Sequence, residues 1–365
     1  MGLSCGIVGL PNVGKSTLFN ALTRTAAAQA ANYPFCTIEP NIGDVAVPEP
    51  RLKKLAAIAK SQQIIPARMQ FVDIAGLVKG ASQGEGLGNK FLANIRETDA
   101  VIYVLRCFDD DDVTHVTGKI DPLADFETVE TELMLADMES LEKRRAALEK
   151  KAKGGDKESK ALLSLVDRAL EELRAGRPAR GVDVAAEEMK LWKGLQLLTQ
   201  KPVLFVANVD EAAAADGNAY SRRVEEAAKR EGAAFVAISA RIESELAPLD
   251  DVEQREFLES IGLKEPGLNR LIREAFGLLG LQTYFTAGPK EARAWTIPVG
   301  AAAPQAAGVI HTDFERGFIR AETIAFDDYI SLGGEVGAKE AGKMRLEGKD
   351  YIVRDGDVMN FRFSA

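Results

Sequence analysis

An α/β fold with a doubly wound, largely parallel sheet is predicted by three features of this chain of 365 residues. First, an apolar strand from Leu3 to Val8 enters a glycine-containing loop and then a helix. Second, the apolar runs 69–72 and 100–105 have the length and composition of buried strands. Third, polar motifs follow such runs, and doubly wound sheets bind ligands outside the carboxyl ends of their strands.

The loop after the first strand is Gly9-Leu10-Pro11-Asn12-Val13-Gly14-Lys15-Ser16, a complete phosphate-binding loop. Between a strand and a helix N-terminus, backbone N–H groups and the helix dipole converge on a phosphate. Lys15 would contact the β and γ phosphates, and the Ser16 hydroxyl would ligate Mg²⁺. A chance glycine-rich turn is disfavoured by the flanking strand and helix. The predicted nucleotide-binding residues here are Asn12, Val13, Gly14, Lys15, Ser16 and Thr17.

Later residues complete the predicted contacts to magnesium and the γ-phosphate. Thr37 lies before the next strand and can reach Mg²⁺, although a threonine between prolines is more often a turn residue. Asp73 ends the apolar run 69–72, where a magnesium-organising carboxylate belongs, and the Gly76 N–H would face the γ-phosphate. The sequence therefore predicts metal ligands at Ser16, Thr37 and Asp73.

The purine-binding motif predicts adenine. Asn208-Val209-Asp210-Glu211 stands where a GTPase carries Asn-Lys-x-Asp, whose aspartate accepts hydrogen bonds from the N1–H and 2-amino groups of guanine. Val209 leaves an apolar surface for the purine, and Glu211 is one methylene longer than aspartate. Losing such paired hydrogen bonds shifts discrimination by about 1–3 kcal/mol. We therefore predict ATP over GTP, with an ordinary GTPase as the alternative. The predicted base contacts are Asn208, Val209, Glu211, Ser239 and Ala240.

A helical arm is predicted inside the nucleotide domain. Nearly a hundred residues rich in Leu, Ala, Glu, Lys and Arg separate the strand 100–105 from Asn208, more than a compact G domain needs. Leucines recur at intervals of seven to eight residues, at Leu133, Leu141 and Leu148. This spacing is typical of an antiparallel helical hairpin or a short coiled coil. We place the arm at residues 125–200 of a nucleotide domain that spans residues 1–280.

Two basic clusters of the arm flank a turn predicted at Gly154-Gly155, namely Lys143-Arg144-Arg145 and Lys150-Lys151 with Lys153. Two interpretations stay open: a solvated helical face with interleaved charges, or a basic tip that contacts RNA phosphates. The formal net charge of −9 argues against nonspecific binding of nucleic acid by the whole surface.

A third unit is predicted at residues 281–365. One helix is predicted at 302–310, and the predicted strands are 282–285, 292–297, 318–324, 350–353 and 357–363. Strands around one helix in about eighty-five residues indicate a small α+β domain.

The sequence predicts a cytoplasmic protein without a membrane partner. No apolar stretch approaches the length of a membrane span, and the first strand starts too early for a signal peptide. The three cysteines, Cys5, Cys36 and Cys107, lack metal-binding and Cys-x-x-Cys spacings, which favours a reducing compartment. Cys36 is either oxidation-sensitive or an inert loop residue.

In combination these motifs resemble the YchF, or Obg-like ATPase, subfamily of translation-factor-related GTPases. The resemblance rests on Gly9–Ser16, Tyr33–Asn41, Asp73–Gly80, Arg106-Cys107-Phe108 and Asn208–Glu211, and on Trp295–Gly300, Gly308–Phe314 and Gly356-Asp357-Val358. The resemblance implies a P-loop NTPase with a Ras-like G domain of the OBG type, a helical arm and a C-terminal TGS domain. It also implies an ATPase that associates with the ribosome, especially the large subunit, with RNA contacts through the arm and the TGS domain, and a backbone contact of Val209 with ATP.

The group that activates the attacking water stays open. Leu77 stands where Ras-like enzymes carry a glutamine. Asn12 resembles an asparagine that holds K⁺ at the transferring phosphate in some G proteins, beside the phosphate contact of Lys15. His115 follows a central strand, and a histidine at this position is implicated in hydrolysis in the family that the chain resembles. A ribosomal group acting in trans is the third alternative, and a surface histidine without a role is the simplest explanation of His115.

Two functions agree with these features. In the first, hydrolysis of ATP couples the switches to binding and release of the ribosome. In the second, hydrolysis is incidental, and the chain is a nucleotide-gated scaffold for RNA or proteins. The absent glutamine predicts slow intrinsic turnover and permits both.

Overall fold

The computed structural model describes residues 3–30, 41–74, 87–110 and 120–364. The described residues form two compact units. The first lies within residues 1–25, 38–43 and 70–274, and the second within residues 26–37, 44–69 and 275–365. Each unit has its own sheet, and the described residues contribute six strands to each.

The strands are β1 (Ser4–Val8), β2 (Ile42–Ala46), β3 (Gln63–Ile65), β4 (Arg68–Asp73), β5 (Ala100–Cys107), β6 (Val203–Val209), β7 (Ala234–Ile238), β8 (Leu281–Ala287), β9 (Glu291–Pro298), β10 (Phe318–Ile324), β11 (Arg345–Glu347) and β12 (Val358–Phe363). The helices are α1 (Lys15–Ala30), α2 (Pro50–Ala59), α3 (Leu87–Arg96), α4 (Pro122–Lys153), α5 (Lys157–Arg174), α6 (Met189–Gly194), α7 (Ala219–Glu231), α8 (Ala240–Leu246), α9 (Asp251–Ser260), α10 (Gly267–Leu278), α11 (Ala303–Ile310), α12 (Thr312–Arg316), α13 (Phe326–Ser331) and α14 (Glu335–Glu340). Short 3₁₀ helices occupy Ala179–Gly181 and Ala186–Glu188.

The first sheet confirms the predicted α/β fold. Its strand order is β2-β4-β1-β5-β6-β7, and β4, β1, β5, β6 and β7 run parallel. Every residue of β1, β5 and β6 is buried, as expected for central strands covered on both faces.

The register of these strands brings their carboxyl ends to one edge. Ile7 lies opposite Asp73, Cys107 opposite Val209, and Asn208 opposite Ile238. The polar motifs that follow β1, β4, β5, β6 and β7 therefore meet along a single line, which is where doubly wound sheets bind ligands.

The predicted helical hairpin is present as α4 and α5, joined by the turn at Gly154-Gly155. The side chain of Asp121 caps the first turn of α4, and that of Asp156 caps the first turn of α5. The hairpin has its own hydrophobic core, formed by Leu141, Leu165, Val166, Ala169, Leu170, Leu173, Ala179, Trp192, Leu195 and Leu197. This burial stabilises the hairpin as a packed unit.

Two buried carboxylates of α4 fasten the arm to the sheet. The Glu130 carboxylate accepts a hydrogen bond from the hydroxyl of Tyr103 in β5. Asp137, which is almost fully buried, accepts from the backbone N–H groups of Leu198 and Thr199 and from the Thr199 hydroxyl, each at 2.8 Å. Residues 198–199 lead directly into β6, so α4 is anchored beside the strand that carries Asn208.

The first basic cluster of the arm, at 143–145, is engaged in contacts within the arm, whereas Lys150, Lys151 and Lys153 of the second cluster are exposed. Arg145 forms ion pairs with Asp167 at 2.7 Å and Glu149 at 2.5 Å, and Lys143 pairs with Glu139 at 2.6 Å. These contacts are those of a solvated face with interleaved charges.

The second unit has the strand order β11-β10-β12-β8-β9-β3. Its core lies between the sheet and α11, around Tyr284, Ile297 and Phe361. The parallel pairing of β3 with β9 adds a strand from far upstream in the chain, and no signal in the sequence indicated it.

The prediction of a strand at residues 350–353 is wrong. This segment is a turn with a single bridge between Ile352 and Ala302. The buried Asp357 carboxylate accepts hydrogen bonds from the Tyr351 hydroxyl at 2.7 Å and from the Arg354 N–H at 2.9 Å. These contacts fold the segment back on itself, and the edge strand is β11 instead.

Among the described helices, none combines the length and the apolar character that crossing a membrane requires. The two described cysteines, Cys5 and Cys107, are buried, and burial raises the pKa of each thiol to about 12. Neither is a reactive thiolate at neutral pH.

Glu243 connects α8 to α10. The helix α8 begins at Ala240, within the Ser239-Ala240 motif. The Glu243 carboxylate accepts hydrogen bonds from the N–H groups of Gly267 at 2.7 Å and Leu268 at 3.2 Å, and the exposed fraction of Glu243 is 2%. Burial raises the pKa of Glu243 to about 7, and the two backbone donors lower it by less.

We predict that the stabilising contribution of Glu243 decreases as the pH rises. The folded-state pKa lies above the unfolded value, so the contribution is complete below the unfolded pKa and is lost as the pH approaches 7. The difference in free energy of unfolding between the wild type and Glu243→Gln (wild type minus variant) should fall by up to about 3 kcal/mol as the pH rises from 4.5 to 7.5. Urea unfolding followed by Trp192 fluorescence in a Trp295→Phe background reports on the first unit alone.

The exposed Glu259→Gln variant is the matched control and should show no such pH dependence. A difference between wild type and Glu243→Gln that is constant over this pH range would contradict the shifted pKa.

Candidate nucleotide-binding site

The phosphate-binding loop has the backbone geometry that anions require. Asn12 and Gly14 adopt positive φ angles of 63° and 91°. Such alternation turns successive N–H groups toward one concave surface. α1 begins at Lys15, and the Leu18 N–H donates to the Gly14 carbonyl at 3.0 Å. The N–H groups of the first turn are therefore directed at the same concavity.

Asn208 fixes this loop to the base-binding segments. Its side-chain N–H₂ donates to the Val13 carbonyl at 2.9 Å, and its side-chain oxygen accepts from the Ala240 N–H at 2.9 Å. Gly14 is required at this contact because a Cβ there would lie 2.1 Å from the Asn208 amide nitrogen. The amide thus holds together the segments that follow β1, β6 and β7.

Two of the three residues predicted to hold magnesium, Ser16 and Asp73, lie among the described residues and carry oxygen donors. The Lys15 ammonium is buried and forms an ion pair with the Asp73 carboxylate at the end of β4. Ser16 lies exposed in the first turn of α1, next in the chain to Lys15. A hydroxyl and a carboxylate are oxygen donors of the kind that Mg²⁺ prefers. No cluster of three or more His, Cys, Asp or Glu side chains occurs in the described ranges.

A cleft of about 380 Å³ lies beside this loop. Its lining consists of Asn12, Gly14, Thr17, Phe108, Asp109, Asp110, Asn208, Val209, Asp210, Glu211, Ser239, Ala240 and Arg241. The volume falls in the range of roughly 300–1,000 Å³ that is common for small-molecule sites. Eight of the predicted nucleotide contacts therefore share one cleft, while the Val13 carbonyl is bonded to Asn208 and Lys15 is turned to Asp73.

Two of the residues predicted to contact the base, Val209 and Glu211, lie at one end of the cleft. Val209 is buried at the end of β6, and Glu211 lies at the rim, where its carboxylate pairs with Arg241 at 2.6 Å. The Ser239 hydroxyl caps α8 by accepting from the Ile242 N–H, and both Ser239 and Ala240 line the cleft.

Arg106 and Phe108 were missed as site residues. Arg106 is 1% exposed at the end of β5, and its guanidinium donates to the carbonyls of Phe108 and Asp110, each at 3.2 Å. It also lies 4.7 Å from the centre of the Phe108 ring. Arg106 therefore shapes the wall of the cleft. The position of this segment at the end of a central strand was the available signal.

Three predicted site residues, Thr37, Gly76 and His115, lie outside the described residues, as does Cys36. Their predicted roles in metal binding, γ-phosphate binding and catalysis stay predictions.

The sheet order, the phosphate-binding loop and the adjoining cleft define a P-loop nucleoside triphosphatase with a GTPase-like α/β domain. Family models agree: residues 4–135 match a family described as "50S ribosome-binding GTPase", and residues 281–364 match YchF-GTPase_C, described as a "Protein of unknown function (DUF933)". The chain belongs to the YchF family, because its similarity to curated members extends over the full length of both sequences.

Two curated relatives and one solved structure illustrate this similarity. "Ribosome-binding ATPase YchF" of Pasteurella multocida is 60% identical over 365 residues, and the protein of the same name from Bacillus subtilis is 54% identical over 367, with 100% of each chain covered. The solved structure of the Schizosaccharomyces pombe YchF GTPase is 36% identical, with a TM-score of 0.89 over 99% of this chain and 98% of that one. The names of these relatives differ in the nucleotide: the two bacterial proteins are called ATPases and the Schizosaccharomyces pombe protein a GTPase.

We predict that Arg106→Lys weakens nucleotide binding about tenfold while the protein stays folded. Lysine keeps the buried charge but cannot bond two carbonyls in the fixed geometry of a guanidinium, so Phe108 and Asp110 lose their support. Losing about one charge-assisted hydrogen bond corresponds to roughly 1.5 kcal/mol. Titration of fluorescent ATP and GTP analogues measures the affinity, and circular dichroism checks the fold.

The exposed Arg96→Lys variant, on α3, is the control for an arginine-to-lysine change elsewhere in the same unit. Wild-type affinity in a folded Arg106→Lys protein would show that Arg106 does not shape the cleft.

Proposed function

We propose that this chain is a ribosome-associated, magnesium-dependent ATPase that couples its nucleotide state to translation or to a stress response. The observation that carries the proposal is the cleft at the carboxyl edge of the first sheet. It joins an intact phosphate-binding loop to a base site with valine and glutamate at positions 209 and 211. The curated relatives that match the whole chain are named ribosome-binding ATPases, which supports the same function.

In this proposal the triphosphate is held by the loop, and ATP is preferred over GTP. The N–H groups of residues 12–17 bind the phosphates, and the Lys15 ammonium exchanges part of its contact with Asp73 for the β and γ phosphates. Ser16, Asp73 and Thr37 would hold Mg²⁺, which supplies neutralisation of phosphate charge when bound. Asn208 cannot turn toward the base without leaving Val13 and Ala240, so it positions the cleft and the backbone around Val209 contacts the adenine.

The catalytic proposal combines His115 with Asn12. Leu77 cannot orient water, so intrinsic turnover should be slow. Asn12 lies at the cleft in a left-handed backbone conformation, from which it would hold a K⁺ ion near the transferring phosphate. His115 lies a few residues beyond Asp110 in sequence and would orient water or a proton at the γ-phosphate.

The partners in this proposal follow from the arm and the C-terminal unit. Residues 125–200 would form the arm that contacts the ribosome, especially its large subunit, and residues 281–365 a TGS domain that contacts RNA. The charges at 143–149 are mostly paired within the arm, so RNA phosphates would be contacted first by the exposed Lys150, Lys151 and Lys153 beside the turn. We place the protein in the cytoplasm, where ribosomes and reduced thiols are found.

Sedimentation with ribosomes tests the proposed function. Purified 70S particles and separated subunits are mixed with the protein under ATP, GTP, ADP or no nucleotide. We expect co-sedimentation with 50S and 70S that differs about fivefold or more between ATP and ADP, the lower range of typical coupling between sites. In Lys15→Ala the difference should vanish, because the phosphate contact is lost, whereas exposed Lys264→Ala should behave as wild type.

Nucleotide-independent sedimentation of the wild type would favour the scaffold alternative. No sedimentation under any condition would contradict the ribosome proposal, and a response to GTP but not to ATP would support an ordinary GTPase.

We predict that His115→Ala lowers single-turnover ATP cleavage about 100-fold with little change in ATP affinity, as expected for loss of a group that positions water or a proton. Rapid-quench measurements with and without ribosomes, in potassium and in sodium chloride, determine the rates. His311→Ala, in the second unit, removes the other histidine of the chain and serves as control. Unchanged cleavage in His115→Ala would remove its catalytic role, and equal rates in the two salts would remove Asn12 as an ion ligand.

A further inference from the structure

An ion pair spans the rim of the base cleft. The Nε atom of Arg241, in the first turn of α8, lies 2.6 Å from the Glu211 carboxylate in the segment after β6, and the two side chains form an ion pair. Both residues line the cleft. Their side chains are 77% and 45% exposed, so the pair lies at the entrance of the cleft rather than beneath it.

The backbone that carries this pair is rigidly held. The Asn208 side chain bonds the Ala240 N–H, one residue before Arg241, and Asn208 itself lies three residues before Glu211. Glu245, one helical turn after Arg241, lies 3.7 Å from the same Nε atom. The guanidinium is therefore flanked by two carboxylates, which favour its position at the rim.

The Glu211 carboxylate is the group that a guanine would need. Guanine presents two donors, N1–H and the 2-amino group, and in GTPases an aspartate at the place of Glu211 accepts both. Here one carboxylate oxygen is already ion-paired with Arg241. A guanine would have to displace the guanidinium, whereas adenine in the same pose presents an acceptor at N1 and no 2-amino group, so this edge of the ring offers the carboxylate no donor.

We propose that Arg241 is a specificity-determining residue of this cleft: by engaging the Glu211 carboxylate it withholds the acceptor for guanine and thereby favours adenine. The inference rests on the proposed preference for ATP and adds the residue that enforces it. An exposed ion pair contributes at most about 1 kcal/mol, so Arg241 should account for about a fivefold part of the preference.

The charge of Arg241 has a second effect that must be separated from the first. Asp109, Asp110 and Asp210 also line the cleft, so removal of the guanidinium makes the surroundings more acidic. That change repels the phosphates of ATP and GTP equally. The ratio of the two dissociation constants, and not either constant alone, therefore reports the specificity.

Isothermal titration with ATP and GTP analogues that resist hydrolysis, in the presence of Mg²⁺, measures this ratio in the full-length protein. We expect Arg241→Ala to lower the preference for ATP about threefold to fivefold. In a Glu211→Ala background the same substitution should leave the ratio unchanged, because the group through which Arg241 acts is absent. Lys229→Ala removes an exposed ion pair with Glu225 on α7, outside the cleft lining, and is the matched control.

An unchanged ratio in Arg241→Ala, with a wild type that prefers ATP, would overturn this inference and leave the proposed function intact. A change that persists in the Glu211→Ala background would overturn it as well, because Arg241 would then contact the base directly. A wild type that prefers GTP would instead refute the proposed ATP specificity and, with it, the role of Arg241.

Discussion

The nucleotide site depends on one buried amide. Asn208 donates to the Val13 carbonyl of the phosphate-binding loop and accepts from the Ala240 N–H after β7. Because it lies at the end of a wholly buried strand, its position is set by the sheet. The bonds leave little freedom to the loop on either side. The phosphate and base parts of the cleft are thus two ends of one hydrogen-bonded unit.

In this cleft, the residues that hold the phosphate loop are different from those proposed to contact the base, so one fold could bind different purines. Asn208 bonds the Val13 carbonyl of the phosphate loop, and Gly14 leaves the room that the Asn208 amide needs. The residues proposed to face the base, Val209, Glu211 and Arg241, line the adjoining cleft. Base preference can therefore change by substitution at the rim without disturbing the grip on the triphosphate.

The fold was predictable where pattern and spacing are local. Gly9–Ser16 between an apolar strand and a helix, and the leucines of the arm, predicted elements that the structure contains. The pairing of β3 with β9 was not predictable, because a strand of three residues has too little pattern to indicate a partner strand more than two hundred positions away. The turn at 350–353 was missed because its alternating apolar residues resemble a strand, while the buried Asp357 that bends it acts through side-chain contacts.

The site was predictable to a similar degree. Motifs at strand ends located Lys15, Asp73 and Asn208, because parallel strands deliver their carboxyl ends to one edge. Arg106 was missed because its role lies in carbonyl contacts of its own segment, and such contacts leave no trace in spacing. Pairing of Glu211 with Arg241 could not be read from either motif, since it depends on the register of β6 against β7.

The anchoring of the arm has a mechanical consequence. Asp137 holds the backbone just upstream of β6 through three hydrogen bonds, and Glu130 holds Tyr103 in β5. Long α-helices resist bending, so a load applied near the tip of α4 is transmitted to this root. The root can pivot only by breaking buried bonds whose acceptors would lose all solvation. A force on the tip is therefore transmitted through the stiff hairpin to β5 and β6, the strands whose ends border the cleft.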